Sequence, residues 1–195
     1  MSAPSKFRSR LILVALVAIF AAPPLGSWLL FRYTNVGRDA TAHGTLIQPP
    51  RPLPDVVLVD AAGGSGRLHG RWTLLYLSSG DCAASCTEAL YRMRQSRLAT
   101  GTRAEHVQRV LVLATEPSGL ARLAADWPGQ WFVTDADFAG SGAFQFGPGD
   151  DPFAAGRLYL VDPRGYLMMS YAPGADPEGI ITDLKRLLRY SGSSG

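Results

Sequence analysis

Hydrophobic positions along this chain fall into two regimes, a single long apolar block followed by short alternating runs. The block, Leu11 to Phe31, carries no charge and is long enough to cross a bilayer as a helix of roughly 30 Å. Lys6, Arg8 and Arg10 precede it, while Trp28 and Tyr33 lie near its far end. That order keeps an N-terminus cytoplasmic and sends the following chain outward. Pro23-Pro24 are expected to kink the helix. The rival reading is a cleaved signal peptide whose apolar part ends near Ala22. No convincing cleavage site follows it, and apolar residues resume after the prolines, so a retained anchor over 11–31 is the expectation.

Residues 32–54 read as a Pro-rich linker, ending in Pro49-Pro50-Arg51-Pro52-Leu53-Pro54, semi-rigid and extended. Short runs then predict a strand over Asp55–Asp60, a turn at Gly63-Gly64 and a strand over Trp72–Leu77. A helix is expected over Thr87–Leu98, with Leu90, Met93 and Leu98 inward and Arg92, Arg94 and Arg97 in solvent. Val107–Ala114 reads as a strand whose second half is apolar throughout, as a central buried strand should be. A helix from Thr115 to about Trp127, a strand over Gln130–Val133 and a long Gly/Asp/Phe-rich loop over Asp135–Gly156 follow. The strands Leu158–Val161 and Tyr166–Tyr171 pair around Asp162-Pro-Arg-Gly165. A closing helix, Asp176–Tyr190, is capped by Asp176 or a neighbour and carries Ile180, Ile181, Leu184, Leu187 and Leu188 on one stripe. Residues 191–195 are a flexible tail. The order implies an α/β domain over 55–190, a mixed sheet with helices on both faces.

Charge changes the picture only at the N-terminus. The formal net charge is +3, yet Lys6, Arg8, Arg10, Arg32 and Arg38 all precede the first acid, Asp39. Setting those five aside from 19 Lys and Arg leaves 14 against 16 acids. The domain has no basic excess with which to hold nucleic acid.

The chemistry lies in Asp81-Cys82-Ala-Ala-Ser-Cys86, which holds both cysteines of the chain. It stands between a predicted strand and a predicted helix. One helical turn brings sulfurs four residues apart to the same face. A thiolate near a helix N-terminus is stabilised by the backbone N–H groups there. The pair suits reversible disulfide exchange or a soft metal such as Cu(I). A purely structural bridge is the plainer alternative, though so short a loop removes little chain entropy. Cys82, nearer the strand exit, is the expected attacking sulfur, with Cys86 more shielded. Asp81 would raise the thiol pKa, or act simply as a turn acid. His43, His69 and His106 show no metal-ligand spacing, so zinc is disfavoured.

The ordered set of features resembles the SCO/SenC family of thioredoxin-like proteins: an N-terminal anchor, a Pro-rich linker, Leu68-His-Gly-Arg-Trp-Thr-Leu-Leu-Tyr76, Cys-x3-Cys and Tyr159-Leu-Val-Asp-Pro-Arg-Gly165. The resemblance covers most of residues 55–190. It implies a thioredoxin-like fold, a role in cytochrome c oxidase assembly, and a copper site of two cysteines and a distant histidine. In this chain the position matching that histidine falls near Ala154, and the stretch Asp151–Arg157 contains none. Met168 and Met169 are possible thioether donors whose alternation favours core packing instead.

The expectation is therefore a periplasmic protein of a bacterial inner membrane, single-pass through 11–31 with residues 1–10 cytoplasmic. Cys82 and Cys86 would reduce a copper-site disulfide on an oxidase subunit or another copper-assembly protein. The alternatives are a Cu(I) metallochaperone that holds the ion between Cys82 and Cys86 with a third ligand unidentified, and a non-catalytic assembly scaffold.

Overall fold

A computed structural model of the chain describes residues 6–33, 42–59, 63–80, 82–116, 118–138 and 140–191, excepting the side chains of 6–9, 27, 29–33, 137 and 191. Two compact units emerge, 1–41 and 42–195. The first contains α1 (Lys6–Tyr33), a helix that continues through Pro23 and Pro24. Among the described residues no helix is long and apolar enough to cross a membrane.

The second unit is built on one eight-stranded sheet. Its strands are β1 (Thr45–Pro52), β2 (Val57–Val59), β3 (Ser65–Arg67), β4 (Trp72–Ser78), β5 (Val107–Leu113), β6 (Trp131–Thr134), β7 (Leu158–Val161) and β8 (Tyr166–Tyr171). They lie in the order β1-β8-β7-β4-β5-β6-β2-β3. The centre, β4-β5-β6, is parallel, and every flanking pair is antiparallel. Parallel neighbours need crossover helices, and α2 (Ala84–Leu98) and α3 (Leu120–Asp126) supply them. With α5 (Pro177–Ser191) they cover one face, packing Leu90, Met93, Ala124, Ile180 and Leu184 on Leu74, Tyr76 and Leu111. Asp176 Oδ1 accepts the Glu178 N–H at 3.0 Å, the cap expected at the start of α5.

The opposite face also carries a helix, as expected, but a short one. It is closed by α4 (Asp135–Phe138), a 3₁₀ turn (Ser141–Phe144) and extended chain. Phe138, Phe144, Ile47 and Leu53 cover Leu75, Val110, Val112 and Tyr159 there. Phe144 meets the Tyr159 ring edge-on at 4.7 Å between centroids. Aromatic bulk substitutes for a helix, which is why the 135–156 segment lacks helical periodicity and still forms core.

Several boundaries move for physical reasons. Residues 45–52, read as linker, form the edge strand β1 on β8, with a register shift between Leu46 and Arg51. Prolines lack the donor a central strand needs, but an edge strand tolerates them. The domain unit thus begins at Ala42, not at 55. Residues Asp55 and Val56 lie outside β2, which is shortened to Val57–Val59 and paired with a strand the sequence did not suggest, β3. α3 is short because Pro117 disfavours helix at the residue before it, and Gly119 becomes the N-cap. Leu98 is exposed rather than inward-facing. In β8 a register shift falls between the pairs Leu160–Met169 and Val161–Leu167. Met169 is buried and Met168 packs on the same core layer, so both thioethers are spent on packing.

Candidate functional site

β4 ends at Ser78, Gly80 turns with φ +154°, and the chain enters the cysteine segment at the C-terminal end of the parallel strands. α2 starts at Ala84, three residues earlier than the apolar pattern suggests, so Cys86 falls within its first turn. The N-cap, Ala83, has no side chain able to bond the first-turn N–H groups. Thr87 is turned inward onto the helix, its Oγ1 donating to the Ala83 carbonyl at 3.2 Å. An N-terminus without a side-chain cap leaves N–H groups for an approaching negative sulfur. Cys82 and Cys86 are joined as a disulfide, with Cα atoms 5.1 Å apart. The two sulfurs are unequal. Cys86 is 2 % exposed and belongs to the main core, whereas Cys82 is only partly buried.

Cys82 lines a groove of about 310 Å³ together with Thr87, Gly119, Arg122, Leu123, Asp126 and Trp127. The far wall is α3 and its C-cap. Leu123 and Trp127, one turn apart, pack their inner sides on the main core. The turn that follows is pinned by Arg109 of β5, whose Nη2 donates to the Pro128 carbonyl at 2.7 Å. Arg109 is 2 % exposed, and its Nε and Nη1 have no hydrogen-bond partner among the described residues. Burial, reinforced by Arg97 and Arg94, pushes its pKa down to about 10. A buried guanidinium and Gln108, whose Nε2 donates to the Leu68 carbonyl at 2.8 Å, occupy the half of β5 that reads as polar.

Behind the disulfide stands Tyr76 of β4, 4 % exposed. Burial raises its phenol pKa, and a hydrogen bond with Ser85, between the two cysteines, opposes that rise. A Cβ placed on Gly156 would lie 3.9 Å from the Tyr76 hydroxyl. The loop holding Ala154 therefore approaches the cysteine segment through Tyr76. That loop is latched by side chains. Arg157 Nη1 pairs with Asp150 Oδ2 at 2.8 Å, and Asp150 also accepts the Phe146 N–H at 3.0 Å. These contacts hold the Asp150 carboxyl below its usual range, the Phe146 N–H contributing most and Arg157 next. The guanidinium carbons of Arg51 and Arg157 stand 4.6 Å and 5.4 Å from the Phe146 ring centre.

The histidines are engaged elsewhere. His43 Nδ1 lies 3.3 Å from Asp183 Oδ1, and its backbone N–H donates to Asp183 Oδ2 at 2.9 Å. His69 Nε2 lies 3.2 Å from the Leu53 carbonyl, and its ring fills the space where a Cβ on Gly165 would stand. His106 is exposed beside Glu105. Among the described residues no group of three or more His, Cys, Asp or Glu could hold a metal. The donor set does not fit a three-ligand copper site; reduced, it offers two thiolates, which suits soft, low-coordinate Cu(I). Asp81 lies outside the described residues. Of the basic helix face, Arg92 pairs with Glu88 and Arg97 Nε donates to the Val107 carbonyl at 2.8 Å. The cysteines were legible in sequence, but the groove was not. Its one signal is the i, i+4 spacing of Leu123 and Trp127, which reads equally as core.

Comparison with known proteins agrees with this architecture. Residues 72–191 match the family model described as transmembrane-like, thioredoxin-like, C-terminal domain. No curated protein sequence matches the chain. Among solved structures, apo Sco1 from Thermus thermophilus is 21% identical with a TM-score of 0.55, covering 75% of this chain and 97% of that one. Copper-bound ScoI from Bradyrhizobium japonicum is 19% identical, with a TM-score of 0.52 and coverage of 70% and 99%. Copper-bound ScoI from Arabidopsis thaliana is 13% identical, with a TM-score of 0.54 and coverage of 71% and 98%. At these identities the likeness is one of fold: SCO/SenC-like, with a mixed sheet flanked by helices. The family match spans well over half of the sequence, and the chain belongs to the transmembrane-like, thioredoxin-like C-terminal domain family.

Proposed function

We propose that this protein is a thiol–disulfide exchange factor that acts through Cys82 and Cys86 on copper-site cysteines during cytochrome c oxidase assembly. The single observation that carries the reading is the asymmetry of the pair, with Cys82 open to a groove and Cys86 buried behind it. In the reduced protein the Cys82 thiolate attacks one sulfur of a partner disulfide. The partner S–S bond breaks, a Cys82–partner bond forms, and the departing sulfur leaves as a thiolate that takes a proton from water. Cys86 loses its proton to solvent and attacks Cys82. This releases the second partner thiol and closes the Cys82–Cys86 disulfide, so two electrons pass to the partner. A dithiol donor must then reduce the bridge again. The first-turn N–H groups of α2 favour the Cys82 thiolate.

An uncharged 11–31 run wound within α1 supports a membrane-anchored protein with its domain on the periplasmic side, where disulfides persist. The copper assignment rests on the Sco structures solved with copper and on the family resemblance. A second reading, a Cu(I) carrier, is favoured by the two adjacent sulfurs alone. An anaerobic Cu(I) titration of the reduced protein against a competing chelator separates the two. The exchange reading expects no competitive one-to-one binding. Tight binding lost in the Cys82→Ser/Cys86→Ser variant would replace it with the carrier reading.

A further inference from the structure

We propose that the groove between the first turn of α2 and α3 is the docking site for an extended partner segment. That segment presents an apolar side chain next to its reacting cysteine and seats it on Leu123 and Trp127. This rests on the reading of Cys82 as the exchanging sulfur and adds what selects the partner.

The geometry leaves little choice. Cys82 is itself part of the groove wall, so a partner sulfur bonded to it must lay its neighbouring residues against the other lining residues. Two rails run along that wall. Leu123 and Trp127 form one, Arg122 and Asp126 the other, each pair spaced by four residues. The apolar rail is preorganised. Leu123 and Trp127 are partly buried against the core, and the Arg109 bond to the Pro128 carbonyl fixes the turn behind them. A rigid apolar platform beside an accessible sulfur gains most when it accepts an apolar side chain.

The charged rail contributes differently. Arg122 and Asp126 carry opposite charges and form no ion pair with each other. Their fields largely cancel at a distance, so among the described residues the lining has no net charge with which to select a strongly acidic or basic partner. A Cβ placed at Gly119 would meet nothing within 4 Å, which leaves this end of the groove open for a chain to run on. The volume, about 310 Å³, lies at the low end of the roughly 300–1,000 Å³ of small-ligand clefts. It suits one or two side chains of an extended segment rather than a folded domain.

The test uses the full chain in detergent micelles, reduced and held anaerobically, with two peptides that share one intramolecular disulfide. One has Leu beside the attacked cysteine and the other has Ser; hydroxyethyl disulfide is the small control. The wild-type protein should reduce the Leu peptide about tenfold faster than the Ser peptide, the value of partly burying one Leu side chain. Trp127→Ala should bring that ratio close to one. Leu123→Ser, at a partly exposed position, gives the same readout should Trp127→Ala fold poorly. Raising salt from about 0.05 to about 0.5 M should leave the ratio unchanged. Equal rates for the two peptides while hydroxyethyl disulfide reacts, or a ratio untouched by both variants, overturns the docking site alone. No reaction with hydroxyethyl disulfide overturns the exchange reading and the docking site with it.

Discussion

The segment after β4 and the segment before β7 leave the same end of two neighbouring antiparallel strands, yet they are finished in opposite ways. The first ends in a disulfide whose outer sulfur opens onto a groove. The second, residues 145–157, is closed on itself by Arg157–Asp150 and by the guanidinium groups of Arg51 and Arg157 over Phe146. In the family this chain resembles, the second segment would bring an imidazole to the two sulfurs. Here it brings Gly156 to Tyr76 and stops. The comparison teaches that the two halves of such a site are separable. One half presents a sulfur to a groove, and the other is part of the wall.

Breaking the open half should have the largest effect. Cys82→Ser should lower the rate of peptide-disulfide reduction by on the order of a hundredfold or more, since no other thiol is accessible. An assay of reduced peptide thiols over time checks it. The closed half should respond in stability rather than in chemistry. Phe144→Ala removes a fully buried ring from the helix-poor face and should cost about 3–5 kcal/mol, read from urea unfolding. If the unfolding midpoint hardly moves, the 135–156 segment is not core.

The smallest effect sharpens the comparison. Asp150→Asn should lower the melting temperature at neutral pH and leave the exchange rate alone. The folded Asp150 pKa lies below its ordinary value of 3.8, so its contribution is full above that value. It is lost as pH falls through the folded pKa. The difference in melting temperature between wild type and variant should therefore shrink as pH drops below about 3.8. A difference independent of pH would remove the Asp150 latch from the account.

The parts that were legible in the sequence share one trait: their signal is local. The Trp72 and Val107 strands, the Cys-x3-Cys pair and the α5 stripe each announce themselves by composition or period. β1 did not, because its prolines read as linker, and only an edge position on β8 makes them acceptable in a strand. Arg109 did not, because a guanidinium in a strand reads as the outward face. The groove did not, because it is made by two segments more than thirty residues apart, and nothing in either says that they meet. Tyr76 and Ser85 meet only through the strand-to-helix turn.

The most direct test of the account is to trap the first covalent step. Reduced Cys86→Ser and Cys82→Ser proteins are each mixed with a peptide disulfide, and the products are weighed by mass spectrometry. The account predicts a stable one-to-one peptide adduct on Cys82 in the Cys86→Ser protein and none in the Cys82→Ser protein. An adduct only on Cys86, or on neither sulfur, would contradict it.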